Sequence, residues 1–435
     1  MAPDPRQYPG YESSRPYVRW TWLNGPFRPE DIRYQLDWLN ASGFGGVEVA
    51  WIDPAWQSGQ GDPLRPAWLS QDWTELVAFA KAYADSLGLG CDFSFGSGTP
   101  VGGGSQVSLE HAAQTLDGPS PQRVTNSWEP GRWLIADRLS EDALRAYAAP
   151  LAPALAPALV GSLSALTCEV QGLDAAELWT TSLWDAFEAR YGYRLEGRLE
   201  LAKTHPHMRY EYRRMVGSAM QREFFDTYAR ICREFGAISR VQCHGAPVDL
   251  LAACATVDVP ESEAPLYNPS FSRIPASAAA LTGKDLISAR VFTSLYGQAA
   301  PGSGAPDPYQ RREQIADLKL LADAVLANGA NHIIWNGMPY NVPGGPQGLS
   351  STVYVGPDAR FARDLPEFNA YLETVCGMLR RGRPYARLAV YLPTEDMLLR
   401  DRLPEEQRTP EAAFEWEMRG VTPPAETEGY HPVWV

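Results

Sequence analysis

Short apolar runs alternate along this chain with longer stretches whose apolar residues recur every three to four positions, the alternation of a parallel α/β architecture. The first run covers residues 17–23. Pro29, Glu30 and Asp31 then open a helix, with acids in its first turn and Gly43 beyond its end. GGVEVAWID follows as strand two, residues 74–87 as a helix stopped by Gly88, and CDFSFGSG as strand three. The rhythm then breaks. Residues 99–163 hold a Gly-rich turn, polar strand-like pieces and the Ala/Pro stretch APLAPALAPAL, which reads as an excursion. SALTCEVQG restores the beat as strand four, and a long helical region over 183–235 carries the next crossover. ISRVQCHG, VDVPESE and LISARVFTSL supply strands five to seven; a helix over 309–328 and NHIIWNGMPY complete the set.

Eight strands with intervening helices over about 320 residues predict a (β/α)₈ TIM barrel at 1–345, with an insertion after strand three. An open doubly wound sheet is the runner-up, weakened because no G-x-G-x-x-G or Walker loop follows a strand. Residues 346–435 carry a helix at about 361–379 and then ARLAVYLPTED, a buried strand with a polar exit that resembles the short start of a second α/β domain.

Composition narrows the function. A chain of 435 residues, 45% hydrophobic and 21% charged, is an ordinary globular protein. Its 52 acidic against 38 basic residues give a net charge of −14, with no basic cluster, which argues against nucleic acid and anionic membrane surfaces as partners. No stretch has the apolar length of a membrane span, and the opening residues lack the apolar core of a signal peptide, so a cytoplasmic location is expected. The six cysteines have no C-x-x-C or zinc spacing and read as buried thiols in a reducing compartment. The 14 Trp and 20 Tyr can stack on sugars, but core filling is the commoner use.

In such a barrel, chemistry sits where strands exit into loops. Polar residues gather at these places: Glu48 and Asp53 on strand two, Asp92 and Ser97 on three, Glu169 and Gln171 on four, Gln242 and His244 on five. Asp258, Glu261 and Glu263 follow on strand six, and Trp335 and Asn336 on eight. Period-two alternation sets Thr167, Glu169 and Gln171 on one face and Cys168 and Val170 on the other, so Cys168 reads as packing. Glu261 and Glu263, two apart, share a face; neighbouring carboxylates disfavour joint ionisation, one route to a general acid. His244 reads either as a sugar-hydroxyl ligand or as a satisfied core histidine. His332 reads as structural, and His205 and His207 have no acids at zinc spacing.

At these motifs the chain resembles the glycoside hydrolase family 106 α-L-rhamnosidases and their relatives. The segments are RPYVRWTWLNG, GGVEVA, SGTPVGGGSQVSLEHAAQTL, CEVQG with FEARYGY, RVQCHGAPVDLLAACATVDVPESE, LTGKDLISARVFTSL and NGANHIIWNGMPY. The resemblance covers about residues 15–345. It implies a TIM-barrel, exo-acting glycosidase that hydrolyses a terminal rhamnose-like sugar with inversion, often with bound calcium. By position it puts Glu169 on the family's acid after strand four, Glu261 and Glu263 on its Glu-x-Glu pair and His244 on its His-Gly turn; with His244, the residues Gln242, Arg290, Asn336, Trp335, Glu48, Trp22 and Asn24 are the candidates to bind the sugar. Two positions depart from the family. Arg290 stands where relatives usually carry an acid, and Asn336 where they usually carry His. A guanidinium there would repel calcium, pair with Glu261 or Glu263, or bind an acidic sugar. The expected activity is a glycosidase of altered specificity using paired glutamates as acid and base. The alternatives are a degenerate barrel that binds carbohydrate without cleaving it, and a different barrel hydrolase or lyase.

Overall fold

A computed structural model describes residues 11–22, 26–52, 66–97, 106–116, 121–124, 134–170, 177–264, 269–293, 312–340, 353–399, 423–427 and 429–435. Eight strands close into a barrel of parallel neighbours: β1 (Tyr17–Trp22), β2 (Gly46–Trp51), β3 (Gly90–Ser94), β4 (Ala165–Glu169), β5 (Ile238–Gln242), β6 (Val259–Ala264), β7 (Ser288–Val291) and β8 (His332–Pro339). Each strand pairs with its sequence neighbour, and β8 closes on β1. The TIM barrel is therefore the architecture, and the open sheet is excluded.

Strand alternation divides the apolar residues into two cores. Val18, Trp20, Val47, Val49, Cys91, Leu166, Cys168, Val241, Ala289 and Ile333 point out of the ring into a continuous layer beneath the helices. The helix Pro29–Ala41 supplies Ile32, Leu36 and Leu39 to that layer at helical spacing, and Gln35 accepts the Trp20 indole N–H at 2.9 Å. The helix Gln71–Ser86 begins three residues before the sequence expectation, because Ser70 caps it by accepting the Trp73 amide. Inside the ring the small second core consists of Tyr11, Tyr17, Leu163, Ala165, Ile238, Val259, Leu286 and Ile334, which plug the amino-terminal end. Tyr17 fits only because β2 and β3 begin with glycine: a Cβ on Gly90 would lie 1.8 Å from its hydroxyl, and one on Gly46 2.5 Å from its ring.

Several expectations are refined. In the described part of the excursion, Gln122–Arg123, Gln114–Thr115 and Leu178–Trp179 form a small antiparallel sheet, the last strand arriving from beyond β4. The excursion also holds the helix Glu141–Ala148, and part of the Ala/Pro stretch is helical, at Leu151–Leu155. The single helical region foreseen over 183–235 is broken into Leu183–Tyr191, Leu199–Thr204 and Pro206–Met220, then a π-helical turn, Gln221–Asp226, and Thr227–Glu234. Past the helix Leu365–Leu379, the strand expected to be buried is the two-residue Ala389–Val390, largely exposed and paired in parallel with Val433–Trp434. A strand of two residues with one open edge has too little surface to bury.

Candidate active site

Above the apolar floor, the inward positions turn from hydrocarbon to charge. Arg19 on β1, Glu48 on β2, Asp92 on β3, Glu169 on β4, Arg240 on β5, Glu261 and Glu263 on β6 and Arg290 on β7 all project into one space. Register explains this. Arg19 lies beside Glu48, Glu48 beside Asp92, Glu169 beside Gln242, Gln242 beside Glu261, and Glu263 beside Arg290. Inward neighbours in a tilted barrel stack into layers, so charged residues on seven of the eight strands become a ring of charge.

Burying so many ions is costly unless each is paired. Arg240, wholly buried, reaches Asp92 Oδ2 at 2.6 Å and Glu261 Oε2 at 3.0 Å, and also pairs with Glu48. Tyr11 closes the bottom, donating its hydroxyl to Asp92 at 2.5 Å, while Asp92 Oδ1 accepts the Ala165 amide at 2.7 Å. Nearer the mouth, Arg290 Nη2 lies 3.0 and 3.1 Å from the two oxygens of Glu48 and 3.3 Å from Glu261 Oε1, and its other terminal nitrogen donates to Glu169. Arg19 bridges Glu48, at 2.9 Å, and Glu169.

These contacts separate the carboxylates chemically. For Glu169, burial favours the neutral acid, but Arg19 and Arg290 outweigh it and hold the group at about 2. Glu48 is likewise lowered: burial opposes ionisation, and Arg290, Arg19 and Arg240 together override it. Glu261 goes the other way. Burial raises its proton affinity further than Arg240 and Arg290 lower it, with Glu48 adding repulsion. Glu263 lies beside Arg290 in register, with Oε2 3.1 Å from His244 Nε2. The His244–Gly245 turn that aims the ring needs a left-handed backbone, supplied by Gly245 at φ 71°.

Not every residue singled out in the sequence reaches this space. Glu169, Glu261, Glu263, Gln242, His244, Arg290 and Glu48 line it, Gln242 donating to Glu261 Oε1 at 2.8 Å. Asn336, half-buried on β8 beside Arg19, donates to Thr293 Oγ1 at 2.7 Å. Trp22 and Trp335 lie on the outer faces of their strands: Trp22 packs on Phe27 and Trp51, and Trp335 on Phe44, Phe292, Phe361 and Phe368. Strand parity turns both away from the interior, and their indoles fill the core beneath the helices. Asp258 sits at the floor end of β6 and accepts from Ser239 N and Oγ, so it does not belong with the rim acids. Asn24, Asp53 and Gln171 lie outside the described residues. His332 packs in the floor, bonded to Ser288 Oγ at 2.8 Å. Burial, with Arg380 and Arg240 nearby, holds it neutral. Sequence reasoning missed Arg19, Arg240 and Tyr11. The first two carried a signal: each is a lone cation at an inward position of an otherwise apolar strand.

Calcium does not fit these residues. Among the described residues no cluster of three or more His, Cys, Asp or Glu side chains could hold a metal ion, and the oxygens of Glu48, Glu169 and Glu261 that face one another already accept from guanidiniums. No helix among the described residues is long and apolar enough to cross a membrane.

Known proteins resemble this chain in sequence and in fold. The glycoside hydrolase family 106 profile, described as alpha-L-rhamnosidase, matches residues 8–117. A Formosa agariphila protein named as a β-glucuronidase is 29% identical over 97 residues, which are 22% of this chain and 8% of that protein. A rhamnosidase structure from Novosphingobium sp. PP1Y superposes with a TM-score of 0.66 at 13% identity, covering 87% of this chain and 60% of the rhamnosidase. A β-galactosidase from Halorubrum lacusprofundi superposes with a TM-score of 0.57 at 12% identity, covering 88% of this chain and 61% of that enzyme. The chain thus spans less than two thirds of the length of these relatives, and the structural likenesses establish the shared barrel. The family's sequence signature thus runs through the first three strands of a closed eight-stranded barrel, and the chain is similar there to the α-L-rhamnosidases of glycoside hydrolase family 106.

Proposed function

We propose that this protein is an exo-acting glycoside hydrolase that removes a terminal, rhamnose-like sugar, with Glu263 as general acid and Glu169 as general base. One observation carries the reading. Of the described carboxylates inside the ring, Glu169 and Glu263 keep partial access to the mouth, with side chains 13% and 10% exposed, whereas Glu48, Asp92 and Glu261 are sealed beneath them. Two acids on either side of a glycosidic bond are what hydrolysis needs.

In this scheme Glu263, 3.1 Å from His244 Nε2, protonates the glycosidic oxygen as its bond to C1 breaks. Water attacks C1 from the opposite face and gives its proton to the Glu169 carboxylate, so the sugar leaves with inverted configuration and the aglycone leaves as the alcohol. Glu169 then returns its proton to solvent, and Glu263 takes one up from solvent, restoring both groups for the next turnover. Glu261 and Glu48, held by Arg240 and Arg290, keep the acids above them in place. A neutral sugar suits the mouth better than a uronic acid, because both terminal nitrogens of Arg290 are engaged by Glu48, Glu169 and Glu261.

One feature favours a second reading, carbohydrate binding without cleavage: the grip of Arg19 and Arg290 that holds Glu169 at about 2 also makes it a weak base. Aryl glycosides decide between the two. Turnover of an α-L-rhamnoside, lost in Glu169→Gln and Glu263→Gln, supports the hydrolase. Binding of rhamnose with no turnover of any glycoside in the panel supports the binding barrel, and a preference for a β-D-glucuronide overturns the neutral-sugar assignment.

A further inference from the structure

We infer that Arg290 is the built-in cation of this barrel, a permanent guanidinium at the point where three carboxylates converge, so that the mouth holds its geometry without a divalent metal ion. The inference goes beyond the proposed activity and does not depend on it. Glu48, Glu169 and Glu261 come from β2, β4 and β6, far apart in sequence, and their oxygens meet around one group: Arg290 Nη2 contacts both oxygens of Glu48 at 3.0 and 3.1 Å and Glu261 at 3.3 Å, while Nη1 contacts Glu169. Carboxylates that converge in a buried space repel one another unless a cation lies between them. A calcium ion meets that need by drawing six to eight oxygens to about 2.3–2.6 Å. Here the same place is filled by N–H donors.

Two physical points make the guanidinium exclusive. Its charge does not titrate in the working range, so no pH change vacates the position. The charges around it also nearly cancel: Arg19, Arg240 and Arg290 face Glu48, Asp92, Glu169 and Glu261 within one contact network, leaving too little negative charge to hold a divalent ion beside three guanidiniums. The planar fork matters as well. An ammonium is a single point, whereas the two terminal nitrogens of Arg290 reach carboxylates on three different strands.

The test reads metal binding and thermal stability, not turnover, so its outcome is independent of whether the protein is a glycosidase. Chelator-treated wild type and Arg290→Gln are unfolded by heat in EDTA, in millimolar CaCl₂ and in millimolar MgCl₂, and both are titrated with Ca²⁺ by calorimetry. The expected result is a wild-type Tm that is the same in all three buffers and no calorimetric Ca²⁺ site. Arg290→Gln frees the converging carboxylates, and calcium raises its Tm by about 5 °C with one ion bound per chain. A wild type whose Tm falls in EDTA overturns the inference, as does a folded Arg290→Gln protein indifferent to calcium. If Arg290→Gln folds only with calcium present, the inference is supported. If it folds in neither buffer, the wild-type comparison decides: insensitivity to EDTA supports the inference and sensitivity overturns it.

Discussion

One terminal nitrogen of Arg290 sits 3.0 and 3.1 Å from the two oxygens of Glu48, joining β7 to β2 across the barrel interior. The strands are not neighbours in the sheet, so no backbone hydrogen bond links them. The clasp fixes the height at which Glu169 is gripped from the side, and with it the line between a sealed lower layer of charge and the two acids at the mouth.

The lower layer depends on Arg240. Replacing it with methionine keeps much of the volume but leaves Asp92, Glu48 and Glu261 without their shared partner. Removing one side of a buried ion pair costs about 3–5 kcal/mol, so Arg240→Met is expected to lower the urea midpoint sharply. An unchanged midpoint would show that the buried carboxylates are neutral without it.

Glu169 gives a pH signature with a definite sign. Its folded-state affinity for a proton is depressed, from the usual 4.5 to about 2, so its stabilising contribution is complete above the unfolded value and disappears as pH falls toward the folded one. The displacement corresponds to ~3 kcal/mol. Wild type should therefore exceed Glu169→Gln in stability by a constant amount above about pH 5, and the gap should close between about pH 5 and pH 2. Denaturant titrations across that range check it; a gap that persists unchanged at pH 2 contradicts the assignment of Arg19 and Arg290 as its partners.

At the mouth, Glu263→Gln removes the proposed proton donor without changing its shape. The expected loss is about 10²–10⁴ in kcat with KM little altered. His244→Ala should lower kcat less and displace the pH–rate profile, because the ring nitrogen 3.1 Å from the Glu263 carboxyl is gone. A fall in kcat with an unmoved profile would make His244 a packing residue.

Trp335 offers the opposite control. Its ring is wedged against Phe44, Phe292, Phe361 and Phe368 on the outer side of β8. Trp335→Ala is expected to cost about 3–5 kcal/mol of stability while leaving the sugar affinity of the folded protein unchanged. Weakened sugar binding with full stability would return Trp335 to the pocket.

Much of this was legible in the chain. Alternating strands and helices sufficed for the barrel, and period-two spacing sufficed to align Glu169 with Thr167 and Glu261 with Glu263. What alternation alone left open was which parity faced inward at the strand ends. Trp22 ends β1 and Trp335 lies within β8, and both share parity with the outward Trp20 and Ile333. The same rule, applied to YVRWTW and ISRVQ, picks out Arg19 and Arg240, since an unpaired cation on an apolar strand needs a partner across the ring. Tyr11 carried no such signal, because its contact with Asp92 spans 81 residues and depends on how the chain enters the floor.

The most direct test is a crystal structure of Glu263→Gln soaked with an aryl α-L-rhamnoside. The anomeric carbon should lie between Gln at position 263 and Glu169, the two side chains roughly 6.5–9.5 Å apart as inversion requires, with a water held against the Glu169 carboxylate. A sugar bound in the mouth with its anomeric carbon touching neither side chain, or bound outside the ring altogether, would contradict the account.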